Sequence, residues 1–213
     1  MIPKLVIFDC DGVLVDTEGP VNEVLAANLS RHGLPITPEH CENLFIGGTV
    51  MDVFDKARRL GANLPDDWIE GLYTEVLDRL EQGAATIPGV LDLIATLEDR
   101  GVAIWVASNG PMRKMRVSLG PSGLWDRFAG RIMSREQFTP KPAADMPLHA
   151  IRETGAPLDL SVMIDDSAPG CLSARNAGIR CLGFAERGQH DTLAAAGAEP
   201  INSMNEAATL LGL

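Results

Sequence analysis

Cationic residues, paired cysteines and long apolar runs are all scarce in this chain. Eighteen Lys and Arg stand against 29 Asp and Glu, a formal net charge of −11 over 213 residues. A surface of that sign repels polyanions, which argues against nucleic-acid binding through a general basic face. Any anionic substrate must be drawn by a local cation and a few lysines, against the overall field. Cys10, Cys41, Cys171 and Cys181 show no CxxC spacing, which predicts free buried thiols in a reducing compartment. Mean hydropathy is +0.06, and no apolar run approaches the roughly 20 residues that span a bilayer. The first residues run straight into a strand pattern, with no charged n-region, long h-region or small-residue cleavage site. The expected location is therefore cytoplasmic. No GxGxxG follows any predicted strand, which disfavours a dinucleotide-binding enzyme. Internal repeats and low-complexity tracts are absent.

What is present is apolar residue for a sizeable core, at 46%, and acid in particular places. Leu5-Val6-Ile7-Phe8 reads as a fully buried strand. Asp9-Cys10-Asp11-Gly12 follows it at once. Side chains alternate along a strand, so Asp9 and Asp11 share a side and Cys10 points away. Like charges held that close need a cation or proton between them. A divalent metal satisfies this and leaves one carboxylate to attack an electrophile. Gly12 lets the backbone turn sharply beside them. An ordinary Asp-x-Asp-Gly surface turn would carry the same letters.

From residue 17 to the low eighties the pattern is helical, with helices expected over Val21–His32, Pro38–Leu44, Thr49–Leu60 and Asp66–Glu81. From Gly83 onward strand and helix alternate. Strands are expected at Val102–Ala107, 131–133, Ser161–Ile164 and Arg180–Gly183. Helices are expected at Val90–Arg100, Met112–Leu119, Met146–Thr154, Pro169–Ala177 and Glu206–Leu211. Alternation of this kind predicts an α/β fold, a doubly wound parallel sheet covered on both faces. The expected division is a core of residues 1–16 and 84–213, with residues 17–83 as an inserted all-helical domain. Ligands of such sheets bind at the carboxyl ends of the strands.

Three further groups fall at those ends. Ser108-Asn109 follows a strand and precedes a helix, which suits a phosphate cradle or an ordinary helix cap. Lys141 stands between Pro140 and Pro142, which fix its backbone; it is either a rigidly presented charge or a solvated loop lysine. Asp165-Asp166-Ser167 follows Val162-Met163-Ile164. Ser167 can cap the next helix, with Pro169 in its first turn. The two acids either ligate a metal or compensate the helix dipole.

The order DCDGVLVDTE, SN, KP, DDS resembles the haloacid dehalogenase superfamily of phosphotransferases, over essentially the whole chain. Residues 17–83 look like that family's helical cap. Within it the chain is most similar to the beta-phosphoglucomutase-like group. Ser108-Asn109-Gly110-Pro111 with Lys114-Met115, and Val162–Ser167, look like its 6-phosphogluconate phosphatase branch. The resemblance implies a Mg2+-dependent phosphatase acting on a small phosphorylated metabolite. Asp9 would be the nucleophile, and Asp11 would protonate the leaving oxygen and then activate water. Asp9, Asp166 and the backbone carbonyl of Asp11 would hold Mg2+. Ser108, the Asn109 backbone and Lys141 would hold the phosphoryl oxygens, with Asp165 behind Lys141 and metal-bound water. Asp11 is the residue that separates the family's phosphatases and mutases from its dehalogenases.

The insert loop Phe45–Val50 carries Thr49 but no Lys or Arg, whereas phosphomutases of the group carry basic residues there to grip a second phosphate. That leaves phosphomutase as the alternative. A neutral sugar or polyol tail, or a carboxylate, would instead be met by Thr49 and backbone. A phospho-acceptor signalling domain would place its acidic pair early and its acceptor later, the reverse of this order. A catalytically silent binding protein would not need every acid. No protein or membrane partner is implied.

Overall fold

The structure is a computed structural model that describes residues 2–45, 50–186 and 188–213. It divides into two compact units, residues up to Asp16 with Ala85–Leu213, and Thr17–Ala84.

The first unit is built on a six-stranded sheet. Its strands are β1 (Leu5–Phe8), β4 (Ala103–Ser108), β5 (Ile132–Ser134), β6 (Ser161–Asp165), β7 (Arg180–Phe184) and β8 (Glu199–Ile201), in the order β5-β4-β1-β6-β7-β8. Every pairing is parallel. The pattern of alternating strands and helices forces this, because parallel neighbours need a crossover element between them. The crossover helices are α5 (Val90–Asp99), α6 (Met112–Leu119), α7 (Leu124–Arg127), α8 (Asp145–Thr154), α9 (Ala168–Ala177) and α10 (His190–Ala195), and α11 (Met204–Leu211) follows β8.

β1 is wholly buried because both its faces are covered. Leu5 and Ile7 pack with Trp105, Met133, Met146 and Met163. Phe8 meets Phe128 edge-on at 6.1 Å between ring centroids. Each such side chain contributes about 1.5–3 kcal/mol by leaving water. β1 lies between β4 and β6, so the chain crosses to one side of it and then to the other. Phe8 is in register with both Val106 and Ile164. The residues following β1, β4 and β6 are therefore brought together at one edge. The short antiparallel pair β2 (Val15–Asp16) and β3 (Ala85–Thr86) lies where the chain leaves this unit and where it returns.

The second unit is helical, with α1 (Glu18–Arg31), α2 (Pro38–Phe45), α3 (Val50–Arg59) and α4 (Trp68–Glu81). Among its described residues no strand is found, as the pattern predicts. Asn28 is buried in it with both ends of its amide engaged. It donates to Glu75 at 3.0 Å and accepts from Trp68 Nε1 at 2.6 Å, pinning α1 to α4. No helix among the described residues is long and apolar enough to cross a membrane. Cys10, Cys41, Cys171 and Cys181 are free and buried, in line with their spacing.

Several elements depart from expectation. β4 runs on to Ser108 and β6 to Asp165, because pairing with Ser134 and Gly183 continues past the apolar run. β8 is unexpected, since three residues containing Pro200 do not read as a strand. Pro is tolerated there because β8 is an edge. α11 starts at Met204 rather than Glu206, because Ser203 Oγ accepts the Glu206 N–H at 3.1 Å and caps it. α7 and α10, of four and six residues, are too short to show a helical period.

Candidate active site

Each acidic residue singled out by spacing lies at the carboxyl edge of β1 or β6. Asp9 follows β1, and its backbone N–H donates to the Ile164 carbonyl at 2.9 Å, which fixes it against the end of β6. Gly12 then turns the chain with φ +77°. A Cβ at Gly12 would sit 2.2 Å from Asp166 Oδ2. The turn therefore needs glycine twice, for its dihedral and for the close approach of Asp166.

Asp9, Asp165 and Asp166 each place a carboxylate oxygen within 4.8 Å of the others. Lys141 reaches into this group, with Nζ 2.8 Å from Asp9 Oδ1 and 2.7 Å from Asp165 Oδ2. Lys141 is only 6% exposed and Asp165 is fully buried, so the solvated-lysine reading fails. The loop that carries Lys141 is held by side chains as well as by its prolines. Asn109 clamps the Lys141 backbone, accepting its N–H at 2.8 Å and donating to its carbonyl at 3.0 Å. Ser173 and Asn176 of α9 donate to the Ala143 and Pro142 carbonyls. Asn109, expected to act through its backbone, thus also has a positioning side chain.

Asp165 has both oxygens engaged. Oδ2 takes Lys141, and Oδ1 accepts the Ser167 N–H at 3.0 Å and its hydroxyl at 2.6 Å. Ser167 in turn caps α9 by accepting the Gly170 N–H at 3.1 Å. A Cβ on Gly170 would lie 1.9 Å from the Asp165 carboxyl carbon. Gly170→Ala in a helix interior normally gains about 1 kcal/mol. Here it should lose about 3 kcal/mol, by driving a methyl into a buried, fully bonded carboxylate. Urea denaturation reads the sign, and a more stable variant would disprove the role of this contact.

One lysine does not neutralise three carboxylates. Burial, with the neighbouring charges of Asp165 and Asp11, pushes Asp9 up to about 7 despite the opposing pull of Lys141. Burial, Asp9 and Asp165 push Asp166 up to about 8. Lys141 moves the other way. Burial opposes its charge, but Asp165 and Asp9 outweigh that and hold it above its ordinary value. Hard, anionic oxygens crowded to this degree suit a divalent cation such as Mg2+. Asp9 and Asp166 fit that role better than Asp165, whose oxygens are already taken.

Asp11 departs from the reading that its carboxylate shares a cation with that of Asp9. Its carboxylate is outside the acidic trio, and Oδ2 lies 2.9 Å from Lys114 Nζ. The counter-charge demanded by the Asp9–Asp11 spacing is thus supplied to Asp11 by a lysine. Burial alone would depress the Lys114 ammonium, but the charge and hydrogen bond of Asp11 carry it above its ordinary value. Lys114 was not among the expected site residues. The signal was its place in the first turn of the helix that opens after Ser108-Asn109-Gly110. Ser108 is buried at the end of β4, and its Oγ accepts the Gly110 N–H at 3.0 Å. Cys10 points away from the acids and has Ser118 as its neighbour, at 3.9 Å. Thr49 lies outside the described residues.

A carboxylate clamped to a buried lysine within a crowded acidic trio, at a switch point of a parallel sheet, suits a hydrolase. The chain belongs to the haloacid dehalogenase-like hydrolase family, whose model matches residues 6–184. It is 27% identical to the 6-phosphogluconate phosphatase of Escherichia coli K12 over 186 residues, 85% of this chain and 82% of that one. A conserved haloacid dehalogenase-like protein of unknown function from Agrobacterium tumefaciens C58 superposes with a TM-score of 0.84 at 30% identity, covering 98% of this chain and 97% of the other. A HAD family hydrolase from Deinococcus radiodurans R1, solved with bound phosphate and sodium, gives 0.85 at 25% identity over 98% and 95%.

Proposed function

We propose that this chain is a Mg2+-dependent phosphatase of small phosphomonoesters, a sugar phosphate or 6-phosphogluconate-like metabolite, working through an aspartyl-phosphate on Asp9. The observation that carries the reading is Lys141 Nζ between Asp9 Oδ1 and Asp165 Oδ2, within the acidic trio. Such a pocket suits a dianionic phosphoryl group approached by an anion. The phosphatase named among the relatives, and the phosphate bound by the Deinococcus hydrolase, point the same way.

In the first half-reaction an Asp9 oxygen bonds to phosphorus as the ester oxygen departs, and Asp11 gives that oxygen its proton. In the second, Asp11 takes a proton from water, the water oxygen bonds to phosphorus, and the bond to Asp9 breaks to release inorganic phosphate. Lys141, Ser108 and the Asn109 backbone would hold the phosphoryl oxygens, so that the group is positioned and its charge met before reaction. Asp165 would keep Lys141 aimed at it. Mg2+, when held by Asp9, Asp166 and the Asp11 carbonyl, supplies the charge that lets two anions meet.

Phosphate release should be followed over sugar phosphates, polyol phosphates, nucleotides and 6-phosphogluconate with Mg2+ present. Inorganic phosphate from one or more of the small monoesters, without halide from 2-haloacids, is the expected result. Glucose 1-phosphate with a trace of the 1,6-bisphosphate tests the alternative. Conversion mainly to glucose 6-phosphate, with little inorganic phosphate, would replace this reading with a mutase.

A further inference from the structure

We infer that Lys114 is a positioning residue for the proton-carrying carboxylate of Asp11, an assignment that rests on the phosphatase reading above. Lys114 Nζ stands 2.9 Å from Asp11 Oδ2, and the two side chains are 23% and 26% exposed. The pair is therefore partly withdrawn from water and is worth more than a solvated surface bridge. It is also held at a fixed place. Lys114 lies in the first turn of α6, where its neighbour Met115 is fully buried in the core. Glu136 accepts the Met112 N–H at 2.9 Å and ties down the start of the helix.

Gly110 marks what converges there. A Cβ on it would meet Ser108 Oγ at 3.2 Å, Asp11 Oδ2 at 3.7 Å and Lys114 Cδ at 4.0 Å. The hydroxyl proposed to hold phosphate, the carboxylate proposed to move the proton and the lysine thus border one small space, which glycine leaves open. Asp11 has a competing attraction. It is two residues from Asp9, whose trio draws cations, and a carboxylate without its own counter-charge would turn toward any metal held there. In that position it would no longer face the departing oxygen. Lys114 supplies a counter-charge from outside the trio, and so would keep the carboxylate free to meet the leaving oxygen.

The test is leaving-group dependence, which a merely structural role would not move. A protonating carboxylate matters for an alkoxide and little for p-nitrophenolate, so kcat/KM should be compared for a sugar phosphate and p-nitrophenyl phosphate. Lys114→Gln and Lys114→Met should lose about 10- to 100-fold on the sugar phosphate, below the full value of the acid step. On p-nitrophenyl phosphate they should lose under about threefold, since that ester needs little protonation. Lys114→Arg, which keeps the charge, should restore most of the sugar-phosphate rate. Equal losses on both esters in both variants, or no loss on either, would overturn the inference. Asp11→Asn separates the two levels. If that variant turns over sugar phosphates at the wild-type rate, the phosphatase reading itself is at fault. If it is impaired while the Lys114 variants are not, the assignment of Lys114 alone fails.

Discussion

Asp9→Asn should lower turnover by at least about four orders of magnitude and leave the protein folded. Asp9 is 8% exposed and packed at the end of β1. The amide has the same shape, and its oxygen can still accept from Lys141. What it lacks is an ionised oxygen to bond to phosphorus. Because one of three crowded charges is removed, thermal stability without metal should hold or rise, since burial penalises that charge. Activity and stability then move apart, which distinguishes lost chemistry from lost structure. Asp11→Asn should fail in another way. Sugar phosphates should be lost by about 10²- to 10⁴-fold, the usual worth of acid–base catalysis. With p-nitrophenyl phosphate the first step should survive and the second stall, leaving phosphate on Asp9. Mass spectrometry of quenched enzyme reads this directly. Phosphate trapped in the Asp9→Asn protein, on some other residue, would sink the nucleophile assignment.

The acids of this site were legible because each sits immediately beyond an apolar run. Leu5–Phe8 and Val162–Ile164 announce buried parallel strands, and the carboxyl ends of such strands are where ligands of a doubly wound sheet bind. Lys141 was legible for a similar reason, being fixed between two prolines. The partners that hold these groups were not. Asn109 clamps Lys141 across 32 residues, and no local pattern connects the two. Ser167 read as a helix cap, which it is, but its second bond to Asp165 depends on β6 running one residue past its apolar stretch. Lys114 entered the sequence reading only as part of the string that resembles one branch of the family, with no role of its own. Its pairing with Asp11 exists only because β1 and β4 are neighbours, a fact of sheet order that hydrophobic period does not encode. β8 and α10 were missed because an edge strand with a proline and a six-residue helix carry too little pattern.

Removing Mg2+ should abolish turnover, and adding it back should restore it, with an effect on stability whose pH dependence has a definite sign. The charge support at stake is worth several kcal/mol, so metal-free activity should fall by about 10³-fold or more. Without a cation, burial and crowding raise Asp9 from an ordinary 3.8 to about 7 and Asp166 from 3.8 to about 8. Between those limits the folded protein binds more protons than the unfolded chain. Stability therefore falls as pH rises, because its slope follows protons bound in the unfolded state minus those bound in the folded state. The metal-free protein is thus relieved of this burden below about pH 4 and carries it fully above about pH 8. A bound cation lets the same carboxylates ionise. It must first displace protons at low pH, at up to about tenfold in apparent affinity per proton per pH unit. The rise in Tm on adding a fixed concentration of Mg2+ should accordingly be larger at pH 8.5 than at pH 5.5. Asp166→Asn, which removes one ligand and one crowded charge, should flatten the response at both pH values. A Mg2+ shift that is the same at both pH values, or that survives unchanged in Asp166→Asn, would show that the cation binds elsewhere, and full turnover after exhaustive EDTA treatment would remove the metal from the mechanism altogether.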